Sequence, residues 1–406
     1  LNNVSKITGL RLETEKLMKL VCSKCTKVYE GSKNGRCPGC GLGPPYVYEF
    51  RNSDKYLKRE IPLLLKERKR VGLEGLVGGL ECVVINTEPD RQKASVEELL
   101  RYTGLEFAEA FQDSHYRTCL LKTEGSADFL IRSRLNTVNP FLAFNNFPKS
   151  KHLPNTRLES FVFVTKDMEK YVSIQRSRGV RFLTDDIIRT DNFWFIQTEP
   201  SKFTGNSLGF IQWTGKRGNY ASSESEVLDW QMEKPKRDYL KNIKELDHAA
   251  TRVEAEDRDA AIIEFMGLTN YDFDFAIYVK LFNSITNVVR LSDKDYAMVF
   301  TSGISPYVSD QASGPTEKFI HNYGPRVHHM AFRTEYIEDT FSAIKADGMD
   351  FLIELVGSPE EGLKQTFTVA SEHTLLVNEY IHRYGDFDGF FTKSNVTLLT
   401  GATDKQ

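Results

Sequence analysis

Between residues 80 and 382 the chain alternates short apolar runs, rich in Val, Ile, Phe and Tyr, with segments whose apolar positions recur at helical spacing. The first kind predicts buried strands and the second amphipathic helices. A strand over 80–85 is followed by a helix over 96–102 and strands over 118–122 and 127–132. The order then restarts with strand 160–165, helix 167–178 stopped by Gly179, and strands at 182–183, 193–198 and 208–214. A second copy follows: strand 246–253, helix 257–265 and strands 285–291 and 296–300. It continues with strand 327–334, helix 335–346 stopped by Gly348, and strands 351–356, 365–369 and 375–382.

The two copies align by subtraction. Leu80-Glu-Cys82 matches Leu246-Asp-His248 at an offset of 166, and residues 160–165 match 329–334 at 169. Gln212 and Gly218 match Glu379 and Gly385 at 167. An internal repeat of this kind fixes the fold class. It predicts an α+β protein of tandem βαβββ modules, paired within each copy into a cupped sheet. The expected domains are 1–75, a metal-binding front end with a helical connector; 76–230, a structural first copy; and 231–406, the chemically equipped second copy.

The front end carries Cys22-Ser-Lys-Cys25 and Cys37-Pro-Gly-Cys40, two CxxC pairs with 11 residues between them. Four thiolates at that spacing read as a zinc ribbon holding a structural Zn2+. Residues 54–70 read as a basic helical connector with a possible kink at Pro62. Charge is uneven: the first 75 residues hold 16 Lys and Arg against 8 Asp and Glu, so +8, and the rest hold 37 against 48, so -11. A solvated or packed basic face explains this without a nucleic-acid partner, since the ribbon lacks strong aromatic interleaving. No apolar run has the length of a membrane span and no signal peptide opens the chain, so the expected location is cytoplasmic.

The chemistry falls in the second copy. His248 begins its first strand, His329 lies in Gly324-Pro-Arg-Val-His-His-Met-Ala-Phe332, and Glu379 is the single carboxylate of an apolar last strand. Two imidazoles and one carboxylate on one side of a metal leave positions open, as in non-haem ferrous oxygenases. The aligned positions of the first copy, Cys82, Ser160 and Gln212, offer no such set. Cys82 and Cys119 lie in apolar strands and read as inert buried thiols.

The repeated βαβββ order resembles the vicinal oxygen chelate superfamily. Within it, residues 246–400 resemble the catalytic domain of 4-hydroxyphenylpyruvate dioxygenases. Leu246-Asp-His248 is similar to that family's first-ligand strand, the Gly324–Phe332 stretch to its Gly-Val-Gln-His-Ile-Ala, and Glu379-Tyr-Ile-His-Arg383 to its Glu-Ile-Ile-Gln-Arg. Leu363-Lys-Gln-Thr-Phe-Thr368 and Gly385-Asp-Phe-Asp-Gly-Phe-Phe391 are weaker matches. The resemblance implies Fe2+ on His248, His329 and Glu379, a 2-oxo acid substrate, dioxygen as co-substrate and a homo-oligomeric assembly. It implies Gln365 as a polar pocket residue and Phe387 and Phe391 as aromatic walls. Departures occur at the pocket positions filled here by Asn287, Ser302 and His328, and the 50 residues from His329 to Glu379 are fewer than in that family. These put the substrate head group in question. His328 also sits on the alternate face of its strand from His329. Two other readings stand beside this one: an extradiol ring-cleaving dioxygenase with the same ligands, and a non-catalytic small-molecule binding protein of the same fold.

Overall fold

The computed structural model describes residues 17–406 apart from 23, 26, 33, 34 and 44–46. Residues 1–16 of the expected front end thus lie outside the described residues. Two compact units divide the chain, one ending at Asn52 and a body from Ser53 to Gln406. The first unit holds β1 (Met18–Cys22), β2 (Val28–Gly31) and β3 (Val47–Glu49) as one antiparallel sheet in the order β2-β1-β3.

The body opens with helix α1 (Lys55–Val71), which carries Pro62 inside it and is closed by Gly72 in the left-handed conformation. The first copy follows as β4 (Val77–Asn86), α2 (Gln92–Tyr102), β5 (Glu106–Gln112), β6 (Tyr116–Lys122) and β7 (Asp128–Arg134). Its second half is β8 (Arg157–Thr165), α3 (Met168–Ser177), β9 (Ile188–Arg189), β10 (Phe193–Gln197) and β11 (Ser207–Trp213), and β12 (Glu226–Val227) closes one edge. The second copy is β13 (Ile243–Arg252), α4 (Arg258–Leu268), β14 (Asp272–Val279), β15 (Ser284–Arg290) and β16 (Ala297–Gly303). After α5 (Pro315–Tyr323) come β17 (Arg326–Thr334), α6 (Ile337–Ala346), β18 (Val356–Ser358), β19 (Leu363–Phe367), β20 (Val377–Arg383) and α7 (Lys393–Ala402).

The sheet orders are β12-β5-β6-β7-β4-β8-β11-β10-β9 and β14-β15-β16-β13-β17-β20-β19-β18. Apart from β12 they are the same arrangement. In each, the two module-opening strands pair antiparallel at the centre, and each flanking neighbour runs parallel to them. The expected α+β fold of tandem βαβββ modules is therefore the observed one.

Strand alternation gives each sheet two faces with different partners. One face of each sheet, with α2, α3, α4 and α6, shares a single core in which Phe129 stacks on Phe332 and Phe163 meets Phe265 edge to face. The other face is the inside of the cup. In the first copy Cys82, Val84, Phe111, Leu120, Leu130, Val162 and Ile211 fill it with apolar side chains. Burial pushes the Cys119 thiol up to about 12 and that of Cys82 higher still, as expected of inert thiols.

Candidate metal centre

The inner face of the second cup is set out in rows by the strand register. One row runs through Ala297, His248, Ala331, Glu379 and Phe367. The next runs through Val288, Val299, Ala250, His329 and Val377. His248, His329 and Glu379 therefore converge from three adjacent strands, β13, β17 and β20. His248 Nε2 and His329 Nε2 each lie 3.2 Å from Glu379 Oε2. All three donor atoms are buried and, beyond one another, have no hydrogen-bond partner. Ligands about 2.1 Å from one ion at right angles would stand about 3 Å apart. The set thus fits a metal held on one face.

Each donor is aimed by a further contact. Asp247 Oδ1 lies 2.7 Å from His248 Nδ1 and accepts its proton, and Arg383 binds both oxygens of Asp247 at 2.5 and 3.0 Å. His329 Nδ1 lies 2.8 Å from His328 Nδ1, and His328 Nε2 lies 2.8 Å from Gln406 Oε1. With His329 Nε2 turned to Glu379, its Nδ1 donates to His328, whose Nε2 donates to Gln406. Gln365 Nε2 donates to Glu379 Oε1 at 2.6 Å and to Phe390 O at 2.8 Å, leaving Oε2 free for a metal. Asn395 of α7 donates in turn to Gln365 Oε1 at 3.2 Å. Phe390 and Phe391 stand edge-on to the His248 ring at 5.5 and 5.7 Å, and Phe367 covers His329 at 4.7 Å.

The protonation pattern follows from these contacts. Burial works against a charged His248, but the Glu379 carboxylate and the Asp247 bond outweigh it and hold the imidazole up at about 9. Burial likewise works to raise Glu379, but His248 and then His329 hold it down at about 2. Burial pushes His329 down, and pushes His328 well below its ordinary value with Arg252 and His329 adding to the effect. His328 is therefore the neutral acceptor that the His329 Nδ1 proton needs.

Several expected pocket residues are placed elsewhere. Asn287 and Ser302 lie on the face turned away from the metal donors, in the rows of Phe300 and Ile285. Asn287 Oδ1 accepts from Arg258 Nε and Nη2 at 2.9 and 2.7 Å, and Ser302 Oγ donates to Gly303 O. The period of a strand decides this: one residue of displacement exchanges the faces. Phe387 does lie on the inner face, packed on the cluster of Ala331, Leu363 and Ile381, with Ala331 in the row of His248 and Glu379, and Phe390 stands beside His248. Gln365 and His328 touch the metal donors and have their own hydrogen-bonding groups engaged there. Phe391 stands at His248 as expected.

The repeat alignment needs one correction. Val84 pairs with Ser160 as Ala250 pairs with His329, so Cys82 and Ser160 do stand for His248 and His329. Val162 pairs with Gly209 as Ala331 pairs with Glu379, so the counterpart of Glu379 is Gly209 and not Gln212. A Cβ at Gly209 would meet Phe195 and Val162 at 2.9 Å. Gln212 faces the other way and accepts from the Met168 backbone N–H at the start of α3.

Residues not singled out from sequence include Asp247, Arg383, Phe390, Asn395 and Arg252. Asp247 and Arg383 adjoin the ligand motifs, and Arg252 shares the strand parity of His248, which were the available signals. In the first unit, Cys22 and Cys40, and Cys25 and Cys37, have sulfurs 3.5 Å apart, and all four lie within 4.8 Å of one another. Tetrahedral zinc with bonds of about 2.3 Å separates its sulfurs by about 3.8 Å, so the cluster fits that ion.

No protein-family model matches the chain, and no curated protein sequence matches it. Solved structures do share its fold. A triple mutant of 4-hydroxymandelate synthase from Streptomyces coelicolor superposes with a TM-score of 0.62 at 16% identity, covering 81% of this chain and 99% of that one. A xylose isomerase-like TIM barrel/4-hydroxyphenylpyruvate dioxygenase fusion protein superposes at 0.59 and 13% identity, covering 86% of this chain and 58% of the fusion. At these identities the likeness establishes the vicinal oxygen chelate fold. Among the described residues no helix is long and apolar enough to cross a membrane.

Proposed function

We propose that the chain is a non-haem ferrous dioxygenase of the 4-hydroxyphenylpyruvate dioxygenase type, with Fe2+ on His248, His329 and Glu379 and a 2-oxo acid as substrate. The observation that carries this reading is the trio of buried, unpartnered donor atoms converging on one point. A ferrous ion bound there would supply dioxygen activation coupled to oxidative decarboxylation of a chelating 2-oxo acid. The protein's own share is positional. Asp247 and His328 fix the tautomers of His248 and His329, Gln365 holds Glu379 to one oxygen, and Phe390, Phe391 and Phe367 exclude water. A resting metal-binding module would need no such supports around open coordination positions. In the first unit, Cys22, Cys25, Cys37 and Cys40 would hold a structural Zn2+.

Elemental analysis of anaerobically purified protein is expected to give about one iron and one zinc per chain, as the two donor sets demand. Oxygen uptake should require a 2-oxo acid and not a catechol. Glu379→Ala should abolish iron-dependent uptake with the fold retained. Undiminished uptake in that variant, or zinc alone with no iron restored on reconstitution, overturns the reading.

A further inference from the structure

Among the described residues, a buried cation inside the cup, Arg252, has no carboxylate paired with it. Arg252 is only 4% exposed, and its Nη1 has no hydrogen-bond partner. Three other buried arginines are matched, Arg68 with Asp272 at 2.9 Å, Arg258 with Asp54 at 2.7 Å and Arg134 with Glu159 at 2.6 Å, while the buried Arg157 and Arg326 have no carboxylate partner and donate to oxygens of the fold, such as Pro325 O and Thr156 O. Arg252 is instead laid over the Phe319 ring, 4.5 Å from its centre. Burial pushes its guanidinium down to about 9, which still leaves it charged at neutral pH. An unpaired buried charge costs stability, so its retention calls for a partner that arrives from outside.

Its position says which partner. Arg252 pairs with Thr301, which pairs with Thr286, forming a third row across the cup. That row lies one step beyond the row of His329, about 7 Å along the strands. The Thr301 hydroxyl is likewise buried without a partner. Arg252, Thr286, Thr301 and His329 line one cavity of about 30 Å³, closed on the far side by Val396 and Leu399 of α7. The row beside that of Arg252 carries Val288, Val299, Ala250 and Val377 next to His329, and Phe367 and Phe391 line the same cavity, an apolar surface between the two ends.

We infer that Arg252 and Thr301 receive a carboxylate at the end of the substrate remote from the metal, so that the substrate is a 2-oxo acid with a second acidic terminus. The identity of the metal-bound end rests on the dioxygenase reading; the anion site does not. A guanidinium presents paired donors that match a carboxylate, and the threonine adds a third.

The test starts with metal-free protein and glutarate, followed by calorimetry. The wild type is expected to bind glutarate, and Arg252→Met to bind it ten- to a hundredfold more weakly, with Arg252→Lys in between. Thermal melting separates this from a scaffold role, because removing an unpaired buried charge should leave the midpoint of Arg252→Met unchanged or raised. A lowered midpoint with unchanged glutarate binding overturns the proposal. With iron restored, oxygen uptake on 2-oxoadipate should have a lower KM than on 2-oxohexanoate, and Arg252→Met should reverse that preference. Equal KM values in the wild type would also overturn it, while leaving the metal reading intact. Glutarate binding without any oxygen uptake would remove the metal reading and leave the anion site standing.

Discussion

Asp247→Asn is the perturbation that isolates how the metal donors are held. Asp247 accepts from His248 Nδ1 at 2.7 Å and takes Arg383 on both oxygens. Arg383 and the His248 bond together hold the Asp247 carboxyl well below the usual carboxylate range, against its burial. The amide keeps the volume but offers one acceptor oxygen to two claimants and turns an NH2 towards a guanidinium. His248 then loses a charged acceptor on the nitrogen opposite the metal, which for such outer contacts costs about ten- to a hundredfold in metal affinity, or about 1.4–2.7 kcal/mol. Arg383 keeps its bond to Gly389 O at 2.8 Å and its place over Phe390 at 5.1 Å, so the damage to folding should stop at about 1–3 kcal/mol. Competition with a chelator under anaerobic conditions measures the first quantity, and urea unfolding of the metal-free proteins measures the second. Iron affinity within twofold of the wild type, with stability lowered, would show that Asp247 only closes the fold and does not aim His248.

Two further outcomes follow from groups away from the donors. Asn287→Ala should destabilise the body by about 2–3 kcal/mol, because it strips two bonds from the buried Arg258, yet leave iron affinity unchanged; chemical unfolding and chelator competition read the two. Asp347 joins the copies by accepting from Arg101, Arg237 and Tyr239, and the Arg101 bond foremost holds its carboxyl at about 2. Its folded value lies below the unfolded one, near 3.9, so its contribution is complete above about pH 4 and lost as pH falls towards 2. Asp347→Asn should therefore lower the unfolding midpoint at pH 6 and match the wild type near pH 2, and a gap independent of pH would contradict the assignment.

The repeat, the fold class and the trio of His248, His329 and Glu379 that the structure brings together were legible because they rest on periodicity and on residue types that an apolar strand rarely tolerates. What stayed hidden depended on register. Asn287 and Ser302 are one residue away from inner-face positions, and no local feature of 285–291 or 296–300 says which parity faces the cup. Gln212 aligned with Glu379 because Gly209 has no side chain to attract notice, and only the pairing of β8 with β11 reveals the three-residue difference. The strands β5 and β14 escaped the pattern for a related reason. Both are outer strands with two acidic residues, Glu106 and Glu109 in β5 and Asp272 and Asp274 in β14, and a bulge, at Phe107/Glu109 and at Phe273/Phe275, which breaks the two-residue period.

The first cup shows what an inner face becomes when it carries no chemistry. Gly209 stands where Glu379 does, Phe195 and Val162 press to within 2.9 Å of any Cβ there, and Cys82 and Ser160 replace the imidazoles. Packing of that kind is self-sufficient and needs nothing from solution. The second cup keeps three orphaned donor atoms, an unmatched guanidinium and a free hydroxyl in equivalent space. The first cup has orphaned polar atoms of its own, at Asn86, Arg132 and Ser207, but its described residues bring together no set of His, Cys, Asp and Glu atoms like that of His248, His329 and Glu379. A scaffold under selection for stability alone would have filled both cups in the same way. The difference between two copies of one architecture therefore separates what the fold requires from what a ligand would require, and on the reading proposed above His248, His329 and Glu379 fall in the second category.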